Sequence, residues 1–410
     1  MKNKKIIAAA LAMALPLSAV ACSKETEETT TAPTTAATTT TEAVVETTTE
    51  ATETTTEETE SPLLDALYDP SIPYSVNPVS GLQDMDPANE GHRSVAIVVN
   101  NCHAAMPQRG ISKADAIYEY ETEGGQTRLL AVFADVNTVP EIGSLRSARI
   151  LSSDLAAGNN SIFIHYGRNA RVPDHIAMCG IDHIDGNNCS GGSNNSANAT
   201  DGYVNLPNGL FFWRDSVWLS QRALEHTAVT DGRHLAEAIE YFNIEAEGET
   251  PFLFNYVPES AEIEAADPCS EINVYFSATN DDALFTFDPE TGMYTKCQYG
   301  GTPQIDQTTG EQIAVRNIMV IFARIQGHGD GTIDAYITDG GSGYYVSDGH
   351  IMPITWTKDT PLTPIVMYNE DGEEVEVNRG VSYICIVDDD KASNTMWVGE
   401  GTIAEALANN

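Results

Sequence analysis

Arg128, Arg146 and Arg149 fall within 22 residues of a chain that holds only 21 Lys and Arg in total. Guanidinium groups grip phosphate or carboxylate with two parallel N–H donors, so three gathered together point to an anion site. Gly143-Ser144 is the kind of pair that opens a helix. A first turn at Ser144 would add unpaired N–H groups and a positive dipole end to the same place. Arg146 and Arg149, three residues apart, would lie on one side of that helix, with Arg128 on the preceding strand and Asn100 at the edge of the same cleft. Internal ion pairs with Glu119, Glu121, Glu123 or Asp154 are the competing use of these arginines.

Two further groupings hold chemically capable side chains. Arg222, Glu225 and His226 form a polar group, read most simply as a helix C-terminus with a favourable cation. His165, His175 and His183 lie close in sequence to Asp174, Asp182 and Asp185. Within this set His165, His183 and Asp185 carry the donor types that suit Zn²⁺. Their spacing matches no metal motif and fits a hydrogen-bonded loop end as well, so neither a metal nor a cofactor is expected. No G-x-S-x-G, H-E-x-x-H, P-loop or G-x-G-x-x-G pattern occurs, and no residue is assigned a catalytic role.

These side chains need elements to hold them. Val95–Val99 is an unbroken β-branched run; Ala116–Tyr120, Leu129–Phe133 and Ser161–His165 also read as strands. A helix is expected from Ser144 to about Ala157, with Ala148, Leu151 and Leu155 as its buried stripe. Another, capped by Asp231, would bury Leu235, Ile239 and Phe242. Gly186–Gly209, with seven Asn, reads as a long surface loop flanked by Cys179 and Cys189, the pair best placed for a disulfide. Free buried thiols are the alternative. Beyond residue 250 the helical pattern fades. Strands are expected at Glu271–Ser277, Ala283–Phe287, Asn317–Ile325, Thr332–Ile337, Gly343–Val346, Ile365–Tyr368 and Val381–Val387, with turns at Asp348-Gly349 and Glu370-Asp371-Gly372. The fold class is therefore α+β: an N-terminal α/β domain over 86–245, then a mostly antiparallel β domain over 250–404.

Composition limits what these domains meet. With 60 Asp and Glu the net charge is −39, which disfavours nucleic acid as a partner, because a polyanion needs a basic face. Residues 1–21 read as a signal peptide: Lys2, Lys4 and Lys5 precede an apolar run from Ile6 to Val20 that is too short to span a bilayer. Small residues then lead into Cys22, as in a bacterial lipobox, so Cys22 is the expected site of lipidation. Over 22–62 the chain becomes a disordered Thr/Glu-rich tether, with 18 Thr and ten Glu after Cys22 and almost nothing to bury. A coil of that length spans about 35 Å. No Ca²⁺-loop spacing occurs, and Asp388, Asp389 and Asp390 read as a solvated strand end.

The runs Arg93 to Asn101, Pro107 to Asp115, Glu123 to Phe133 and Ile142 to Arg149 resemble the N-terminal domain of the YerB-like lipoproteins. Gly301-Thr302-Pro303, Thr309 to Gln312, Asp348-Gly349 and Trp356 resemble its C-terminal domain in the same order. Where that family tends to carry Pro-His-Asp-like residues this chain has Pro303-Gln304-Ile305-Asp306, and in place of Pro-His-Asn it has Glu225-His226-Thr227. The resemblance implies a membrane-anchored, two-domain envelope protein and names no reaction. The expected function is that of a lipid-anchored binding or scaffolding protein on the extracellular face of the cell membrane, with a cell-wall or envelope-protein partner. The alternative is an envelope enzyme acting on phosphate-linked or peptidoglycan substrates.

Overall fold

The run Val95–Val99 is apolar without interruption because its strand is buried on both faces. In the computed structural model, which describes residues 7–8, 62–189, 210–258, 263, 266–280 and 283–409, that run becomes β1 (Val95–Asn100). Cys22, the Thr/Glu-rich segment and residues 190–209 lie outside the described residues. The chain continues with β2 (Ala116–Glu121), β3 (Thr127–Phe133), β4 (Ile142–Gly143), α1 (Ile150–Gly158), β5 (Ile162–His165), α2 (Val172–Cys179) and β6 (His183–Asp185). After residue 210 come β7 (Trp213–Arg214), α3 (Ser216–Leu219), β8 (Ala228–Thr230) and α4 (Gly232–Tyr241). Strands then dominate: β9 (Glu271–Val274), β10 (Ala283–Asp288), β11 (Met293–Gln298), β12 (Asn317–Ala323), β13 (Gly341–Ser347), β14 (His350–Thr357), β15 (Ser382–Asp388) and β16 (Met396–Val398).

Helices thin out after residue 241 while sheet continues to the C-terminus, an α+β fold. One eleven-stranded sheet runs in the order β14-β13-β12-β15-β2-β3-β1-β5-β6, with Asp267–Pro268 and Val366–Tyr368 along β14. Its centre is the parallel pairing of β15 with β2, from Ser382 opposite Ala116 to Ile386 opposite Tyr120. Strands from both halves of the sequence therefore complete a single sheet.

Alternate residues of the central strands feed two separate cores, as a period of two requires. Val95, Ile97, Val99, Leu129 and Phe133 pack with Ile272, Phe285 and Tyr294 of the second sheet and with Leu235 and Ile239 of α4. Ala96, Val98, Leu130 and Val132 pack with Leu151 and Leu155 of α1 on the other face. The second sheet places β16, β9, β10 and β11 side by side. A smaller three-stranded sheet, β7-β8-β4, stands beside them and carries the loop that matters for the site.

α4 forms as expected, with the Asp231 carboxylate accepting the His234 N–H at 2.9 Å. The helix expected from Ser144 starts instead at Ile150, with Arg149 as its N-cap. The physical reason is that the backbone before it is already spoken for. Leu145 N donates to Ala228 O at 2.8 Å, Arg146 N to Val98 O at 3.0 Å and Ala148 N to Gly167 O at 2.9 Å. No free helix N-terminus exists at Ser144. β11 and β14 escape a periodicity reading because Lys296 and Gln298 point inward on β11 and Pro353 interrupts β14. The Asp348-Gly349 turn between β13 and β14 has both residues at positive φ, 51° and 75°, the geometry that favours this dipeptide. Cys179 is a free thiol, and the side chain of Cys189, its expected partner, lies outside what the structure describes.

Candidate functional site

Between β4 and α1 the chain runs as an extended strap, Ser144 to Ala148, held by the backbone bonds just described. The strap and the loop after β5 wall a pocket of about 290 Å³, lined by Leu145, Arg146, Ser147, Tyr166, Gly167, Arg168, Asp185, Asn187, Arg214 and Glu225. Three guanidinium groups reach it. Arg168 is neutralised by Asp185, whose Oδ1 also accepts the N–H groups of Gly167 at 2.7 Å and Asn187 at 3.0 Å. Arg146 and Arg214 are different. Arg146 donates to Glu225 O at 3.4 Å and Arg214 to Leu224 O at 2.5 Å, and Arg214 lies 4.5 Å over the Tyr166 ring. Among the described residues, no carboxylate oxygen comes within 4.0 Å of either one. Burial lowers the pKa of Arg146, yet a guanidinium starting above 12 stays charged at neutral pH.

The expected anion cluster is divided by the structure. Arg146 lines the pocket, but Arg149 turns away to grip Glu123, with Nε 2.7 and 2.9 Å from its two oxygens. This is one of the ion pairs that competed with an anion site. Arg128 is buried and donates to Ser147 O at 2.5 Å, bracing the strap from behind. Burial, with Arg149 and Arg146 close by, pushes its pKa down to about 9, so it still adds positive charge beneath the pocket at pH 7. Ser144 is fully buried and its Oγ has no partner. Asn100 also stays off the pocket wall and serves His226.

Leu224–His226 is a single 3₁₀ turn that closes at His226, so Glu225 and His226 do stand at a short helix C-terminus, while Arg222 lies before the turn. Arg222 stacks 4.1 Å over Trp218 and donates to Ala105 O at 2.8 Å and to Met106 O and Pro107 O at 3.1 Å, tying the loop after β1 to α3. His226 Nδ1 lies 2.8 Å from Asn100 Nδ2 and 3.9 Å from Cys102 Sγ. Asn100 Oδ1 accepts the Cys102 N–H, which turns the amide so that Nδ2 faces the imidazole. Nδ1 is therefore the acceptor and the proton sits on Nε2, 3.9 Å from Glu225 Oε1. Burial and then Arg146 hold the His226 pKa below its ordinary value, leaving the ring neutral at pH 7. Glu225 is thus presented to the pocket with its carboxylate facing no full positive charge at contact distance.

His165, His183 and Asp185 are brought together, but as a hydrogen-bonded chain. His165 Nε2 and His183 Nδ1 are 3.0 Å apart, the rings stack with 9° between their planes, and His165 Nδ1 bonds Gly167 O at 2.9 Å. The ring nitrogens face one another, and Asp185 is taken by Arg168. Among the described residues, the donor atoms close enough to share a cation belong to Asp388, Asp389 and Asp390 at the end of β15. Arg168, Arg214 and Tyr166 were missed by the sequence reading because they have no motif around them and lie on two separate segments, the loop after β5 and β7. A positive residue in so acidic a chain was the one signal available for Arg214.

Among the described residues no helix is long and apolar enough to cross a membrane. Residues 79–245 match the family model described as protein of unknown function (DUF3048), N-terminal domain, and residues 272–384 match its C-terminal domain. Over 333 residues the chain is 28% identical to the Bacillus subtilis (strain 168) protein named "Putative lipoprotein YerB", covering 79% of this chain and 89% of that one. The crystal structure of Bacillus subtilis YerB superposes with a TM-score of 0.63 at 27% identity, over 77% of this chain and 97% of that one. With both domain models matched in order and the fold shared along nearly the whole of the solved relative, the chain belongs to the YerB-like family.

Proposed function

We propose that this is a lipid-anchored binding protein of the cell envelope that captures an anionic group between Arg146 and Arg214. The observation that carries the reading is the pair of charged guanidinium groups without a carboxylate partner, lining one pocket in a chain of net charge −39. In such an acidic protein an unneutralised cation is conspicuous, and two in a concave site suit a bound phosphate or carboxylate. Arg128 beneath the strap adds a third positive charge that no ligand needs to touch. The lipobox-like ending at Cys22 and the name of the Bacillus relative support anchoring to the membrane, with the tether carrying the body outside it. The test is calorimetric titration of the full chain in detergent with inorganic phosphate and with acetate, comparing the native protein with Arg146→Ala/Arg214→Ala. Charge-assisted hydrogen bonds contribute about 1.5–3 kcal/mol each, so the double variant should bind at least about tenfold more weakly with an unchanged circular dichroism spectrum. Absent binding of either anion, or binding indifferent to the substitutions, overturns the proposal.

A further inference from the structure

The pocket does not carry positive charge alone. Glu225 lines it as well, with its side chain half exposed. Its own backbone N–H and, through space, His226, Arg146 and Arg214 hold its pKa below the usual carboxylate value, yet neither guanidinium pairs with it at contact distance. Arg146 and Arg214 are drawn onto the backbone carbonyls of Glu225 and Leu224, the same segment that carries the acid. His226 faces it at 3.9 Å as a neutral ring. The other acid in the pocket, Asp185, is consumed by Arg168 and two backbone N–H groups. Two guanidiniums and one carboxylate without a contact-distance ion pair therefore stand around one small space, close enough to feel one another's charge.

A simple anion held by the arginines would sit beside Glu225 and be repelled by it. A ligand with its own ammonium group would turn that repulsion into a second contact. We propose that the pocket selects a zwitterion of amino-acid type, its anionic group on Arg146 and Arg214 and its protonated amine on the Glu225 carboxylate. At about 290 Å³ the pocket stands at the small end of ligand sites, suited to an amino acid or the end of a short peptide. The amine on Glu225 provides the selectivity, because a ligand without it leaves the acid unpaired against the bound anion.

This inference rests on the anion pocket proposed above, and the probes are chosen to separate the two. Full-length protein in detergent is titrated with alanine, N-acetylalanine, phosphoethanolamine and acetate. Alanine is expected to bind about tenfold tighter than N-acetylalanine, which keeps the carboxylate and lacks the ammonium. Glu225→Gln should erase that preference while leaving N-acetylalanine binding intact or improved, an outcome that a merely structural Glu225 would not produce. N-acetylalanine binding as tightly as alanine, or a preference that survives Glu225→Gln, overturns the zwitterion and leaves the anion pocket standing. Failure of all four probes removes both. Alanine tighter than phosphoethanolamine assigns the anionic group as carboxylate; the reverse order assigns it as phosphate, and either supports the paired contact.

Discussion

Removing the carboxylate of Glu119 should unfold the protein more readily than any surface change. Glu119 on β2 is fully buried beneath the second sheet, and Lys296 of β11, also fully buried, lies 3.3 Å from its Oε2. Its oxygens also accept from Thr127 Oγ1 at 2.6 Å, Asn101 Nδ2 at 2.8 Å, Asn280 Nδ2 at 3.1 Å and Tyr383 Oη at 2.6 Å. Glu119→Leu strands the Lys296 ammonium with only Gln298 and Gln304 as neutral acceptors. Breaking one side of a buried ion pair costs about 3–5 kcal/mol. Asn101 and Asn280 keep Thr127 Oγ1 as an acceptor, but Tyr383 loses its partner, adding about 1–3 kcal/mol. Against a total stability of about 5–15 kcal/mol this is a large fraction. Adding Lys296→Met removes the stranded charge, so the double variant should recover at least about 1 kcal/mol relative to Glu119→Leu alone. Urea unfolding followed by tryptophan fluorescence reads this directly, since Trp213 and Trp218 report on the first half and Trp356 and Trp397 on the second. A loss below about 1 kcal/mol for Glu119→Leu, or a double variant weaker than the single, would refute the reasoning.

Three other outcomes are expected. Cys22→Ala should move the protein from the membrane fraction to the soluble fraction after processing, because the apolar run before it is too short to span; retention of the processed variant would sink the anchor. Asp115, whose carboxylate accepts from Ala134 N and Asn77 Nδ2, has its pKa raised by burial to about 6. A raised acid favours the folded state when protonated, so stability should fall by about 3 kcal/mol as pH climbs from about 4 to about 6, and Asp115→Asn should flatten that slope in urea titrations. Equal slopes in the two proteins would contradict it. Gly343→Ala should lower the melting temperature sharply, since a Cβ there would sit 2.0 Å from Val320 O on the neighbouring strand; an unchanged melting temperature would show that β12 and β13 can separate at no cost.

The strands around Val95, Ala116, Leu129 and Ser161 and the helix after Asp231 were legible in sequence because burial writes periodicity into side-chain type. The readings of the Thr/Glu-rich stretch and of the apolar run before Cys22 rest on composition alone, which limits what they can bury. The family was legible from runs of residues kept in order. Tertiary structure decided the rest. Whether Ser144 opens a helix depended on Ala228, Val98 and Gly167, whose carbonyl oxygens accept the N–H groups of the strap from distant parts of the chain. Which arginine is left without a contact-distance carboxylate depended on the acids near each: Glu123 takes Arg149, Asp185 takes Arg168, and none of the described acids comes within 4.0 Å of Arg146 or Arg214. Pairing of that kind depends on distances of a few ångströms between residues far apart in sequence, and spacing along the chain carries no record of it.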